Sequence, residues 1–441
     1  MTFLKPLGAL IIVIFFLWMI FYKGNKNQAY IAFILITFPF LHITLTNPNT
    51  SVFDFSSIVF YFLFYKRKPT YINEIIGYGY GFAILILIIA LGLYFSPIEP
   101  DINNINKFIR IFPIFIFGKI LIEECLSDPD FTKQTIRMLI GLLIFSLVFL
   151  FIQMIIGLDF RLVNTLNPNV MIRKGIRYPS FFSDPQQFSQ FLGALSFICL
   201  ISWKKEKIPS LNYLLFGLAV MGILAAGGRA GLMGWALGLF LLLIFSSPKR
   251  KMAIIFSGIV LAVFAFYFQE NLSIFNRGTD LNDTYDFRAQ IWEDAITIFL
   301  NHPFLGIGIG NYGEYVFLHY PDQLLLINNQ IVAFDQPESG YLLFLSELGG
   351  LGFLFIMGFV FIPAARSFFF YFRNKEIVHI QLNAALCCWL IGFYSTYSLG
   401  DVRIRILVST IISLMIIFRL QEKQEMNAND IPDENENYLN G

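Results

Sequence analysis

The chain has 441 residues, of which 56% are hydrophobic and only 14% are charged. This composition, with 52 phenylalanines and a mean hydropathy of +0.66, excludes a soluble globular protein and predicts an all-α polytopic membrane protein. The formal net charge is +1, so charge gives no reason to propose nucleic acid as a partner.

About thirteen apolar runs are long enough to cross a bilayer as helices. The first is predicted to be a retained span, because it lacks a basic leading region and a small-residue cleavage site. The third is short; without it the count is about twelve and the N-terminus changes sides. The runs occupy residues 7–22, 29–46, 50–65, 74–95, 106–124, 138–157, 187–203, 209–226, 230–247, 251–269, 340–363, 379–398 and 402–419.

Basic residues between the runs set the predicted orientation, because they collect on the cytoplasmic side. They cluster at residues 66–68, 204–207, 249–251 and 366–375, which all fall on one side of the count. The predicted divisions are residues 1–157 (N-terminal transmembrane helices), 158–269 (central helices with an arginine-rich outer loop), 270–339 (a large helical periplasmic loop), 340–420 (C-terminal transmembrane helices) and 421–441 (a disordered cytoplasmic tail).

The large loop contains a predicted helix over residues 286–300, capped by Asp283, Thr284 or Asp286. Its Arg288 and Trp292 share one stripe with apolar residues, which is typical of a helix on a membrane surface with the arginine aimed inward.

The helix is followed by the sequence NHPFLGIGIGNY at residues 301–312. Pro303 ends the helix, because proline disfavours the helical conformation of the residue before it, and His302 is interpreted as a turn residue. The glycines then allow either a tight turn or a close approach of backbone amides to a ligand.

Three arginines break the usual charge bias in the segments predicted to lie outside. Arg177 lies in the loop of residues 157–186, Arg229 opens a span at the glycine-rich turn GGRAGLMG, and Arg288 lies in the large loop. A guanidinium group matches phosphate oxygens, so these residues predict an anionic ligand. The alternative is that they face water or lipid head groups. Arg110, beside the fifth run, is interpreted as mainly structural.

Two carboxylates lie at the start of the eleventh run. Glu338 is at the predicted membrane edge, beside the arginine-rich loops, and is a candidate general base. Glu347 lies about two helical turns further into the predicted span. Burying a carboxylate inside a membrane costs free energy, so Glu347 is also a functional candidate. The alternative for Glu347 is that it pairs with a neighbouring span across the small-residue surface SELGGLG.

Other motifs carry no function here. Residues 308–313 fit the dinucleotide pattern GxGxxG, but no predicted strand precedes them. The four histidines lack metal-ligand spacing and the four cysteines form no CxxC. We therefore predict no metal, no other cofactor and no disulfide.

Four segments, in this order, resemble the O-antigen polymerase and ligase superfamily, the Wzy- and WaaL-type membrane proteins of bacterial polysaccharide assembly. They are RYPSFFSDPQQFSQFLG, GGRAGLMG, Arg288 and Trp292 followed by NHPFLGIGIGNY, and SELGGLG before a long apolar run. The resemblance spans roughly residues 170–365 at the level of motifs.

The resemblance implies a metal-independent, GT-C-like glycosyltransferase in the bacterial inner membrane, with its active face on the periplasmic side. It implies substrates carried on undecaprenyl diphosphate and leaves a chain-length regulator open as a further partner. Arg177, Arg229 and Arg288 are then expected to bind the diphosphate, and Glu338 and Arg288 to act in catalysis. The secondary candidates are Arg173, Arg277, His302 and Glu347.

Ligases of the superfamily carry a His-Asn pair where this chain has Glu338-Ser339. This difference favours a polymerase, in which the hydroxyl of an incoming lipid-linked unit attacks the anomeric carbon of the growing chain. Two alternatives stay open. One is an O-antigen ligase that transfers glycan to lipid A core. The other is a flippase or exporter of lipid-linked oligosaccharides, which should show internal repeats that this sequence lacks.

Overall fold

The computed structural model describes residues 4–46, 50–66, 73–167, 170–172, 175–201, 208–248, 251–252, 281–320, 325–327, 330–332 and 336–429. Within them the fold is a helical bundle with three short antiparallel strand pairs, which confirms the all-α prediction. The helices are α1 (Leu4–Phe21), α2 (Lys26–Ile36), α3 (Val52–Leu63), α4 (Asn73–Tyr94), α5 (Ile102–Ile109), α6 (Ile111–Ser127), α7 (Pro129–Ile156), α8 (Pro185–Ile198), α9 (Ser210–Ala226), α10 (Arg229–Phe245), α11 (Leu281–Asn301), α12 (Tyr312–His319), α13 (Gly340–Asn374), α14 (Val378–Ser395) and α15 (Val402–Asn429). The strands are β1 (Thr44–Thr46), β2 (Thr50–Ser51), β3 (Met171–Ile172), β4 (Gly175–Ile176), β5 (Leu325–Ile327) and β6 (Gln330–Val332).

Six helices of the described chain are long and apolar enough to cross a membrane, namely α1, α4, α7, α13, α14 and α15. Three shorter helices, α3, α9 and α10, are also apolar. The order of these helices follows the order of the predicted runs, so the prediction of a polytopic membrane protein is confirmed. The predicted run at residues 251–269 extends into residues outside the described ranges.

Two predicted spans are interrupted. In the run at residues 29–46, α2 ends at Ile36 and a 3₁₀ turn (Phe38–Phe40) leads into β1. Pro39 lacks the amide hydrogen that a longer α-helix would need there. The run at residues 106–124 is divided between α5 and α6 at Arg110.

The C-terminal end also differs from the prediction. Helix α15 continues to Asn429, so residues 421–429 are helical and not part of a disordered tail. Their sequence, QEKQEMNAN, is rich in glutamine, glutamate and lysine, which are good helix formers.

Helix α14 lies at the centre and packs against α8, α10, α13 and α15. The contact with α10 depends on small residues. A Cβ atom at Gly234 would lie 2.8 Å from Cys388 Cα, and one at Gly238 would lie 2.7 Å from Ala384 O. Because lipid gives no hydrophobic drive for helix association, such close backbone packing is what stabilises the pair.

One end of the bundle gathers several connections, and we call it the loop face. It comprises residues 157–167, 170–172, 175–184, 227–228, 302–311, 336–339 and 396–401. Contacts between these segments and the adjoining helix ends hold them together, including hydrogen bonds from Tyr178 N to Ala225 O (3.3 Å) and from Arg403 to Phe181 O (2.6 Å). Three of the four sequence segments of the superfamily resemblance contribute residues to this end, and the fourth, SELGGLG, packs against residues 303–308.

Candidate functional site on the loop face

The two predicted catalytic residues are paired with each other. Helix α11 packs against α13, and Arg288 Nη2 lies 2.6 Å from Glu338 Oε2, with one third of each side chain exposed. One turn along α11, Trp292 Nε1 donates to Pro337 O at 3.0 Å, and its ring lies edge-on to Tyr394. The predicted stripe of α11 therefore faces the beginning of α13.

The turn that carries Glu338 is strained. Glu338 has a φ of +52°, in the left-handed region, which costs a non-glycine residue roughly 1–2 kcal/mol. The following Gly340 has no room for a side chain, since a Cβ atom there would lie 2.1 Å from the Phe393 ring. Strain of this kind is concentrated at functional sites, where surrounding structure holds a side chain in a required direction. Here the constraint directs Glu338 towards Arg288.

Helix α11 is longer than predicted at its N-terminal end. It begins at Leu281, so Asp283, Thr284 and Asp286 lie within the helix and the prediction that one of them caps it is wrong. Pro303 does end the helix region as predicted, two residues after Asn301. His302 N donates to the carbonyls of Ile298 and Phe299.

Arg177 and Arg229 both lie beside the turn between α9 and α10. Arg177 is 1% exposed, and its Nε donates to Ala226 O at 3.1 Å, in the last turn of α9. A cation at this position is favoured by the helix dipole. Arg229 is the first residue of α10, three residues after Ala226, and is half-buried. Arg177 thus stabilises the loop face in addition to any role with a ligand.

Asp184, which sequence reasoning missed, interacts electrostatically with Arg177 and Glu338. Asp184 caps α8 through a 2.8 Å bond from Gln186 N, and burial raises the pKa of its carboxyl group. The positive charge of Arg177 opposes this rise in pKa, while the negative charges of Glu338 and Asp401 add to it. All three groups therefore lie within electrostatic range of Asp184. The available signal was an aspartate before a proline at the start of a span.

Of the secondary candidates, Arg173 and Arg277 lie outside the described residues. His302 contacts Tyr315 of α12, with Nε2 3.4 Å from the hydroxyl oxygen. Burial and the nearby His319 lower the pKa of His302, which favours the neutral ring. His302 thus occupies a turn between α11 and α12, as interpreted from its place before proline.

The motif SELGGLG does not form the smooth helix surface that the sequence suggested. Helix α13 is broken at Gly349, whose φ is +62°, and the segment of residues 303–308 packs into the break. Ile307 N donates to Ser346 O and Gly308 N to Glu347 O, both at 2.9 Å. In return, Gly350 N donates to Pro303 O at 2.7 Å. The glycine-rich segment therefore forms a tight turn against α13.

Glu347 also takes part in this arrangement. Its Oε1 accepts a hydrogen bond from Tyr312 N, at the start of α12, at 3.3 Å. Glu347 is 5% exposed, and its carbonyl also holds Gly308. Glu347 therefore links α13 to the glycine-rich turn.

A hydrogen-bond network joins the same turn to the segment between α4 and α5. Asn311 Nδ2 donates to Ser96 Oγ at 2.8 Å, and Asn104 Nδ2 donates to Asn311 Oδ1 at 2.6 Å. Ser96 Oγ also donates to Ile307 O. The turn is thus fixed from two sides, by α13 and by the N-terminal part of the chain.

A cavity of about 560 Å³ lies beside this turn, between α4, α6, α13 and α15. Lys107, Arg110, Arg405 and Gln336 line its loop-face end. Gln336 is two residues from Glu338, so the Arg288–Glu338 pair lies close to the cavity mouth. Arg110, interpreted from the sequence as mainly structural, therefore also lines this cavity.

A second, more polar cavity of about 440 Å³ adjoins the first and shares Arg110 and Arg405 with it. The predicted diphosphate-binding arginines, Arg177, Arg229 and Arg288, are not among the described residues that line either cavity. Within the described ranges, no three His, Cys, Asp or Glu side chains are grouped so that they could hold a metal ion.

Residues 214–357 match a family model described as O-antigen ligase, Wzy_C. The match covers α9 and α10, the described part of the large loop, and α13 beyond its break at Gly349. It includes Arg229, Arg288 and Glu338. No curated protein matches the chain.

Proposed function

Because residues 214–357 place the chain in the O-antigen polymerase and ligase superfamily, we propose that it is a polymerase of lipid-linked oligosaccharide repeat units. The repeat units are carried on undecaprenyl diphosphate, and the product is O-antigen or a related surface polysaccharide. The loop face is the periplasmic face of a bacterial inner-membrane protein, and the glycan is assembled there.

The ion pair between Arg288 and Glu338 carries this proposal. A glycosyl diphosphate has a good leaving group, so the reaction needs a cation for the diphosphate and a base for the acceptor hydroxyl. Arg288 and Glu338 supply one group of each kind, 2.6 Å apart and one third exposed. Arg177 and Arg229, at the nearby α9–α10 turn, add positive charge to the same face.

In the proposed reaction, Glu338 accepts the proton of the acceptor hydroxyl as the hydroxyl oxygen bonds to the anomeric carbon. The bond from that carbon to the diphosphate oxygen breaks, and undecaprenyl diphosphate leaves with the bonding electrons. Arg288 stabilises the charge that develops on the leaving diphosphate. No metal ion is required for these steps.

An O-antigen ligase is the second candidate, because the matched family model carries that description. The two functions share the donor and differ in the acceptor, which is lipid A core for a ligase. Glu338-Ser339 in place of the ligase His-Asn pair favours the polymerase. The same Glu338 is the residue that pairs with Arg288.

Deletion of the gene, followed by gel analysis of the surface glycan, separates the candidates. We expect a single repeat unit on lipid A core, in place of the ladder of the parent strain, and restoration of the ladder by a plasmid copy. Bare core would instead identify a ligase. Lipid-linked units that accumulate on the cytoplasmic side would identify a flippase.

A further inference from the structure

The larger cavity changes character along its length. At the loop face it is lined by Lys107, Arg110 and Arg405. Elsewhere in the bundle the lining is mainly apolar and comes from α4, α6, α13 and α15, with Lys119, Ser409 and Ser413 as its polar members. Examples of the deep lining are Phe82, Phe115, Phe359 and Ile412. A charged mouth above an apolar channel matches a molecule with an anionic head and a long hydrocarbon chain.

The cations at the mouth are poorly neutralised by the protein. Arg110 Nε and Arg405 Nη1 lie 3.7 and 4.0 Å from the two carboxylate oxygens of Asp54, so two guanidinium groups share one carboxylate. Arg405 Nη1 also donates to the carbonyl oxygen of Arg110, which brings the two like charges together. Such proximity is costly in an apolar setting unless an anion compensates it.

Hydrogen bonding at the mouth is also incomplete. Within the described part of the chain, the buried Nε atoms of Arg110 and Arg405 have no hydrogen-bond partner. The other acid at the mouth, Glu347, is already engaged by the amide of Tyr312. A phosphate group in the cavity would accept hydrogen bonds from the terminal nitrogens of the two guanidinium groups.

We propose that the cavity between α4, α6, α13 and α15 binds a long-chain lipid, with its phosphate head on Arg110 and Arg405 and its chain in the apolar part. This inference deepens the proposed function, because it supplies a lipid-phosphate site whose cations are separate from Arg177, Arg229 and Arg288. A polymerase must hold two lipid-linked diphosphates at once, and two groups of cations on one face meet that requirement.

The test is binding of defined lipids to the purified full-length chain in detergent, measured by native mass spectrometry. The probes are undecaprenyl diphosphate, phosphatidylglycerol and uncharged undecaprenol. The key variant is Arg405→Gln, which leaves Arg110 to neutralise Asp54, and Arg405→Lys restores the charge. The matched control is Arg366→Gln, a half-exposed arginine that pairs with Glu74 on α4.

We expect Arg405→Gln to weaken binding of the phosphorylated lipids by about tenfold or more, equivalent to 1.4 kcal/mol or more. Arg405→Lys should recover part of the affinity, and Arg366→Gln should bind as the unchanged protein does. Preference for undecaprenyl diphosphate over phosphatidylglycerol identifies the carrier as the ligand, and the reverse identifies a membrane phospholipid.

Equal binding by Arg405→Gln and the unchanged protein, or equal binding of undecaprenol and undecaprenyl diphosphate, would overturn the inference. The outcome is separable from the proposed function. Charge-dependent lipid binding together with bare core in the deletion strain would retain this site and remove the polymerase. Normal polymer from Arg405→Gln together with unchanged lipid binding would remove this lipid site and retain the polymerase.

Discussion

Arg288→Ala is expected to abolish the polymer ladder while the protein still inserts into the membrane. The substitution removes the cation that faces Glu338 at 2.6 Å. Loss of one charge-stabilising group at a reaction centre lowers rates by about 100- to 1,000-fold, which is below what a glycan gel detects. The measurement is the ladder in a deletion strain that carries the variant, with protein amount checked by immunoblot of membranes.

Two further variants sharpen this result. Glu338→Gln retains the shape of the side chain and removes its basicity, so we expect a similar loss of polymer. Substantial remaining activity would limit Glu338 to positioning.

Arg177→Ala should also remove chain extension, but with less protein in the membrane, because Arg177 is 1% exposed and bonded to Ala226 O. Arg366→Ala is the control and should give a normal ladder. A normal ladder from Arg288→Ala and Arg177→Ala would refute the role of these arginines.

Gly306→Ala or Gly349→Ala is expected to give the largest loss of folded protein. A Cβ atom at either position would lie 2.4 Å from backbone of the opposite segment, at Glu347 C or Phe304 C. Both residues also have positive φ values, which cost alanine about 1–2 kcal/mol, and forced overpacking adds about 1–3 kcal/mol. The sum, about 2–5 kcal/mol, is a substantial fraction of the roughly 5–15 kcal/mol by which an ordinary domain is stable.

The measurement is the thermal unfolding of the purified variants, with yield from membranes as a second readout. Gly358→Ala is the matched control on the same helix, because a Cβ atom there would meet only Ile362 Cδ1 at 3.8 Å. We expect the control to melt at or slightly above the unchanged protein, since alanine favours helix. Unfolding of Gly306→Ala at the same temperature as the control would show that the packed turn contributes little.

The bundle was predictable because apolar runs of bilayer length have few alternatives to helices. The break in α13 at Gly349 could not be predicted, because the composition of SELGGLG fits a close-packed helix surface as well as a helix break. The residue that distinguishes these two structures is the facing glycine, Gly306, which lies far from Gly349 in sequence. The glycine-rich segment that packs into the break carries no local signal of its partner.

The candidate site shows the same limit. Arg288 and Glu338 could be selected from sequence because each stands out in a polar segment beside an apolar run. Arg110 and Arg405 could not be joined, because they are 295 residues apart and each resembles an arginine at a span end that reaches the membrane surface. Their meeting depends on the packing of α6 against α15, which tertiary structure alone provides.

The most direct test of the account is the reaction itself, with the purified chain and an undecaprenyl-diphosphate-linked oligosaccharide as the sole glycan. We expect mass spectrometry to show products that grow by one repeat unit on a single undecaprenyl diphosphate, with one free undecaprenyl diphosphate released for each new bond. Arg288→Ala should release none. Glycan transfer only when lipid A core is supplied, with no growth on the lipid carrier, would contradict the polymerase.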